Sequence, residues 1–198
     1  MADRPFIVHA GWLKGRDPLV TVQQLDTLGM ELREFEKPLI ATSRVMADDV
    51  KENFDTESSP DGTAWQQWSE KYGYVARARG QTKLLQWTGD LYDSATKISS
   101  YTIESTRLGE GSVSIDPNKL PDYWVYHDQP DKPNLTGETG KSKSPQRKFL
   151  AISDRAKRAI DTIFDEWFDG TLRGVSRATG QPLRMIPGIG VRFGHYYY

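Results

Sequence analysis

KISSYTIESTRLGEGSVSID, from Lys97 to Asp116, is the stretch whose reading decides the fold class. Polar and apolar residues alternate on both sides of LGEG, which is the period of a half-buried strand, and the two glycines suit a tight turn. The stretch predicts a β-hairpin with Ile103 set roughly against Val113 and Ile115. The longer segments flanking it are helical in period. The sequence therefore predicts an α+β fold: a small antiparallel β-sheet packed against N-terminal helices and one C-terminal amphipathic helix, with extended terminal arms.

Upstream of the hairpin, residues 1–20 carry Pro5, Gly11, Gly15 and Pro18 without a sustained period and read as an extended N-terminal arm. Thr21 and Gln24 fit a capping box, and Leu25, Leu28, Leu32 and Phe35 recur at helical spacing. Pro38 then interrupts or kinks the helix, and Leu39, Ser43, Met46, Val50 and Phe54 continue one face as far as SSPDG. The expectation is a helical pair or one long bent helix. Pro60 and Gly62 set a turn. Trp65 and Trp68 could share one face of a short helix, YVARARGQTK reads as a basic loop, and Thr88 can cap a short helix that carries Leu91 inward.

Downstream of the hairpin, Tyr123, Trp124, Val125 and Tyr126 read as a further strand, and residues 129–146 are loop by composition. Ser153 and Asp154 start a helix whose apolar face is Ala156, Ile160, Ile163, Phe164 and Trp167, with Gly170 as its stop. The chain is thus expected to be a single assembly domain over residues 21–170, followed by an extended aromatic tail over residues 171–198 that ends FGHYYY.

Composition limits the chemistry. With 198 residues, no cysteine and histidine only at positions 9, 127 and 195, the chain offers neither thiolate sites nor a histidine-based metal cluster. The formal charge of -1 supplies no global basic field for nucleic acid. No apolar run has the length of a signal peptide or a membrane span, so a soluble protein without a membrane partner is expected. Six Trp, nine Tyr and seven Phe in so polar a chain suit a protein that assembles with others.

The segment LTGETGKSKSPQRKF, residues 135–149, contains GKS, but a phosphate loop needs a glycine where Leu135 stands. It also needs a buried strand before it and a helix directly after it, and here DQPDKPN precedes and Pro145 follows. GKS is read as loop chemistry. Asp122, His127, Asp128 and Asp131 are the residues from which a metal or acid–base site could be assembled, but a polar strand end leading into a loop is the favoured reading. No catalytic residue, no cofactor and no metal is expected, and the chain is read as a non-enzyme.

Three blocks occur in order: F-x-x-E-x-x-P-D-G from Phe54 to Gly62 followed by Trp65, then LLQWTGDLYDS, then PQRKFLAISD before the amphipathic helix. Together they resemble the phage virion morphogenesis family, the Mu-like tail-completion and head-tail joining proteins, over roughly residues 25–168. The matching positions are Pro60, Asp61, Gly62 and Trp65; Leu85, Thr88, Gly89, Leu91 and Ser94; and Pro145, Arg147, Phe149, Leu150 and Ser153. The chain departs from the family's pattern at YWVYHDQPD, where a tyrosine, a His-Gln pair and a glycine are usual, and at Ala151, where a glycine is usual.

The resemblance implies a structural virion protein at the head-tail interface, assembled in the host cytoplasm, that forms a homo-oligomeric ring, a hexamer by expectation, around the DNA channel. Its partners would be further copies of itself and neighbouring neck, tail-tube or connector proteins, with non-specific contact to genomic DNA as a further possibility. A tail terminator capping the tube is the alternative, and a DNA-binding accessory protein ranks below it. The sequence adds a charge pattern: six carboxylates against Lys51 between Asp48 and Asp61, and seven basic residues against Asp154 between Lys141 and Arg158. Two opposite poles would suit head-to-tail packing. The residues expected at a subunit or partner interface are Pro60, Asp61, Gly62, Trp65, Lys141, Lys143, Arg147, Lys148, Phe193, Tyr196, Tyr197 and Tyr198.

Overall fold

The computed structural model describes residues 18–31, 34–105, 111–128 and 145–180. Six helices and one two-stranded antiparallel sheet follow in the order α1 (Pro18–Glu31), α2 (Glu36–Thr56), α3 (Glu70–Ala78), α4 (Asp90–Thr96), β1 (Tyr101–Ser105), β2 (Gly111–Ile115), α5 (Trp124–Asp128) and α6 (Asp154–Thr179). The fold is α+β, as the hairpin implied. The chain divides into two compact units. The larger is Arg33–Trp167; the smaller joins Met1–Leu32 to Phe168–Tyr198.

In the larger unit, Ile103 faces Val113 directly and Tyr101 faces Ile115, so the expected hairpin register holds. Both strands pack on α2. Gly111 opens β2 where a Cβ would run into Leu39, lie 2.9 Å from the Glu104 carbonyl and 3.1 Å from the Phe35 ring, so the hairpin approaches the helix at a position only glycine fits. The expected face of α2 is buried at Leu39, Ser43, Val50 and Phe54 and half-buried at Met46. Pro38 does not break this helix. It lies in the first turn, where backbone N–H groups have no intrahelical acceptor, and the structure is therefore the helical pair rather than the bent helix.

Phe54 is the centre of the core. Its ring meets Trp65 and Tyr92 edge-on at 5.6 and 5.5 Å and tilts against Phe149 at 5.1 Å. Val50, Leu84, Leu91, Ala95 and Leu120 close around these rings. Around Phe35, a second aromatic group adds Phe164 and Trp167 of α6 at 5.6 and 5.4 Å.

Several local expectations are corrected. Trp65 and Trp68 lie outside any helix, and Tyr74 to Ala78, the first half of the basic stretch expected as a loop, belong to α3. Ser69 caps α3 by accepting from the Tyr72 N–H at 3.4 Å, and Gly80, with φ of 78°, follows its end. Its buried positions are only Gly73 and Ala76, so no large apolar residue marks the helical period. Residues 124–128 form α5 instead of a strand, because Val125 and Asp128, three apart, are the positions turned inward. The α6 helix runs through Gly170 to Thr179; Thr171 and Val175 continue a buried face one turn apart, and Gly180, with φ of 66°, is the left-handed residue that ends it. Residues 171–179 are therefore helix rather than extended tail.

One capping expectation holds: Ser153 Oγ accepts from the Ala156 N–H at the start of α6. At α4 the N-cap position is Gly89, with φ of 86°, rather than Thr88, which stands one place earlier and accepts from the Asp90 N–H at 3.4 Å; Leu91 is buried as expected. In the smaller unit α1 starts at Pro18, three residues before the expected cap at Thr21, and Gln24 donates to Thr179 Oγ1 at 3.1 Å. Leu19, Val22, Leu25 and Met30 of α1 are exposed. Among the described residues no helix is long and apolar enough to cross a membrane. The terminal arms, apart from the segments just named, lie outside the described residues.

Candidate functional site

The three sequence blocks meet in space. The segment 145–153 is neither helix nor strand, bends at Leu150 and Ala151, and is captured along its length by groups from three other parts of the larger unit. Arg147 N–H donates to the His127 carbonyl at 2.7 Å, and the Phe149 and Leu150 N–H groups both donate to one oxygen of Asp128, at 2.8 and 3.1 Å. The Lys148 carbonyl accepts from Trp65 Nε1 at 3.1 Å, and the Phe149 carbonyl accepts from Asn53 Nδ2 at 3.1 Å. Asp49 accepts from the Ser153 N–H at 2.8 Å and from its hydroxyl at 2.5 Å. A segment outside helix and sheet must find acceptors and donors elsewhere, and here the His127 carbonyl and side chains of Asp49, Asn53, Trp65 and Asp128 supply them.

The residues expected at an interface divide into three groups. Trp65 and Arg147 are interior, exposed by 2% and 5%. Arg147 donates through Nε and Nη2 to the Gln66 carbonyl at 3.1 and 2.9 Å, and burial lowers its pKa while Glu57 and Tyr72 oppose that shift. Such an arginine is a structural clamp, committed to its own chain. Asp61, Gly62 and Lys148 reach the surface, with Pro60 half-buried. Gly62 takes φ of 83° and donates to the Ser59 carbonyl at 2.8 Å, closing the expected turn; Asp61 accepts from the Thr63 N–H, which is the main cause of its lowered pKa, with Lys148 a lesser one. Lys141, Lys143, Phe193, Tyr196, Tyr197 and Tyr198 lie outside the described residues.

The two charged poles prove to be neighbours. Arg155 pairs with Asp49 at 3.3 Å and with Glu52, and Lys148 acts on Asp61. Acidic and basic segments that neutralise each other inside one chain leave less charge for a neighbour. The reason is the path of residues 145–155, which run back along α2 and the 57–65 turn.

The acid–base candidates are also engaged. Asp128 is buried and accepts the two backbone bonds above, His127 is partly buried with its pKa lowered by burial and by the Arg147 charge, and Asp122 is exposed. Asp131 lies outside the described residues. Among the described residues no three His, Asp or Glu side chains are grouped to hold a metal ion. A shallow depression between α4 and residues 117–121 is lined by Asp90, Asp93, Lys97 and Lys119, but Lys119 already donates to the Ser99 carbonyl.

One surface was not anticipated from sequence. Tyr72, Tyr74 and Trp87 are 50%, 72% and 39% exposed beside the half-exposed Val75. Trp68, Tyr72 and Trp87 form a row, with centroids 6.1 and 6.3 Å apart, and the Arg79 guanidinium stands 5.8 Å from the Trp87 ring. Gln81 holds the row in place by donating to the Trp87 carbonyl at 3.1 Å. By helical spacing Lys71 and Arg79 share the side of α3 that carries Tyr72 and Val75, whereas the Arg77 guanidinium lies against Gly73; none of the three cations makes an ion pair among the described residues. The signal available in the sequence was Ser69 before Glu70, an N-cap with an acid in the first turn.

No family model, curated protein or solved structure matches the chain.

Proposed function

We propose that this chain is a structural subunit of the phage head-tail junction, a tail-completion or joining protein that assembles as a ring around the DNA channel and connects tail to head. The observation that supports the reading is the convergence of the three blocks that carry the resemblance. Trp65 of the first, Leu91 of the second and Phe149 of the third lie in one buried cluster with Phe54. Blocks separated by up to some eighty residues that meet in one core are what a shared fold requires, since residue type is constrained there by packing. The side chains from which a catalytic site might have been built, Asp128 foremost, serve the backbone of residues 147–150 instead.

The test is electron microscopy of purified particles of the phage that encodes the chain, carrying the protein with a gold-binding tag. The expected result is label confined to the neck, together with unjoined heads and tails when the gene is deleted. Label along the tail tube, or particles without label, would overturn the proposal.

A further inference from the structure

The aromatic and basic face of α3 is not used by the fold. It exposes Tyr72 and Val75, with Trp87 beside them, together with Lys71 and Arg79, and Tyr, Trp and Arg are the residue types that concentrate binding energy at protein interfaces. The partly open rings supply on the order of a few hundred Å² of apolar surface, enough for the centre of a standard interface of about 800 Å² per partner. The cations fix the sign of what must face them.

A complementary surface exists on the same chain. On α6, Asp161, Asp165 and Glu166 are exposed, no basic residue intervenes from Ala159 to Phe168, and none of the three makes an ion pair among the described residues. Asp161 and Asp165 stand one turn apart on the helix. Lys71 and Arg79 beside exposed rings thus have the opposite sign to the unpaired carboxylates Asp161, Asp165 and Glu166 of α6. We infer that the α3 face of one copy docks on the Asp161–Asp165–Glu166 face of α6 of a second copy. Because two different patches meet, the contact is heterologous and can propagate around a ring.

A nucleic acid is the weaker fit to the same face. The phosphate backbone would gain two cations but approach a chain of net charge -1, and the Trp87 ring that would receive a base already carries Arg79. A second copy satisfies both patches at once. The inference rests on the ring-forming reading above and gives it a contact.

The experiment is light scattering behind size-exclusion chromatography on the full chain, over a range of concentration and salt. The wild type is expected to self-associate, less so as salt rises. Lys71→Glu with Arg79→Glu, and separately Asp161→Lys with Asp165→Lys, should each weaken association more than tenfold while circular dichroism stays unchanged. Putting all four substitutions in one chain should restore it, because the charges are exchanged rather than lost.

The inference is overturned if either pair leaves association intact, if the four together do not recover it, or if the wild type stays monomeric. It is also overturned if Lys71→Glu with Arg79→Glu abolishes binding of a single-stranded oligothymidine without changing oligomer mass. If rings persist in both pair variants, this contact fails and the head-tail reading stands. If labelled particles show no signal at the neck, the head-tail reading fails whatever the contact does.

Discussion

Asp128 is expected to be the side chain on which the conformation of residues 146–150 most depends. It is 3% exposed, and one of its oxygens accepts from both the Phe149 and the Leu150 N–H. Replacing it by alanine leaves two backbone donors without an acceptor, and each buried orphan costs about 1–3 kcal/mol, so Asp128→Ala should cost roughly 2–6 kcal/mol. Asp128→Asn keeps a carbonyl oxygen in the same place and gives up only the charge, which roughly halves the strength of such bonds, for a cost of about 1–2 kcal/mol. Urea unfolding followed by tryptophan fluorescence reads the difference directly, since Trp65 is buried with its Nε1 on the Lys148 carbonyl of the same segment. With a urea dependence of about 2 kcal/mol per molar, the alanine midpoint should fall by roughly 1–3 M and the asparagine midpoint by less than about 1 M. Equal midpoints for the two variants, or an alanine midpoint within about 0.3 M of wild type, would refute the assignment of Asp128 as the acceptor that holds this segment.

Two other perturbations follow from named contacts. Burial and the Arg147 charge lower the His127 pKa, so the unfolded chain takes up the proton first. Stability from this residue is fully present above an unfolded pKa of about 6.5, falls as the pH drops through it, and levels off below the folded pKa. His127→Gln should flatten that part of the stability profile between pH 7.5 and 5, and a wild-type profile superimposable on the variant's would show that the histidine does not titrate differently on folding. Gly111→Ala places a methyl group against Leu39, the Phe35 ring and the Glu104 carbonyl, the last of which is backbone and cannot swing away. The hairpin should be pushed from α2 at a cost of about 1–3 kcal/mol, read as a lower melting temperature; an unchanged value would mean the contact is loose.

How much of this was legible in the sequence depends on which residues face inward. The hairpin and α2 were legible because large apolar residues mark their buried faces: Ile103 against Val113, and Leu39, Val50 and Phe54 along one side of a helix. The α3 helix was not, since its buried positions are Gly73 and Ala76 while its rings and cations point outward, which inverts the usual pattern. The end of α6 was misplaced for a related reason. Gly170 has open space around it and carries an ordinary helical conformation, whereas the left-handed geometry that stops a helix is taken ten residues later by Gly180. Residue type alone does not separate a tolerated glycine from a required one.

The charge pattern was legible as composition and misleading as geometry. A run of acids and a run of bases separated by some eighty residues read as two poles only if the fold keeps them apart. Residues 145–155 carry the bases back onto α2, so Arg155 meets Asp49 and Glu52, and Arg147 turns inward to Gln66. Surplus charge has to be counted after such internal pairs are removed. Among the described residues the charges left unpaired include Lys71 and Arg79 on α3 and Asp161, Asp165 and Glu166 on α6, neither of which stood out as a run along the chain. The surface a neighbour would meet is thus set by which charges the fold fails to use, and a reversal of those residues alone should change assembly without changing the core.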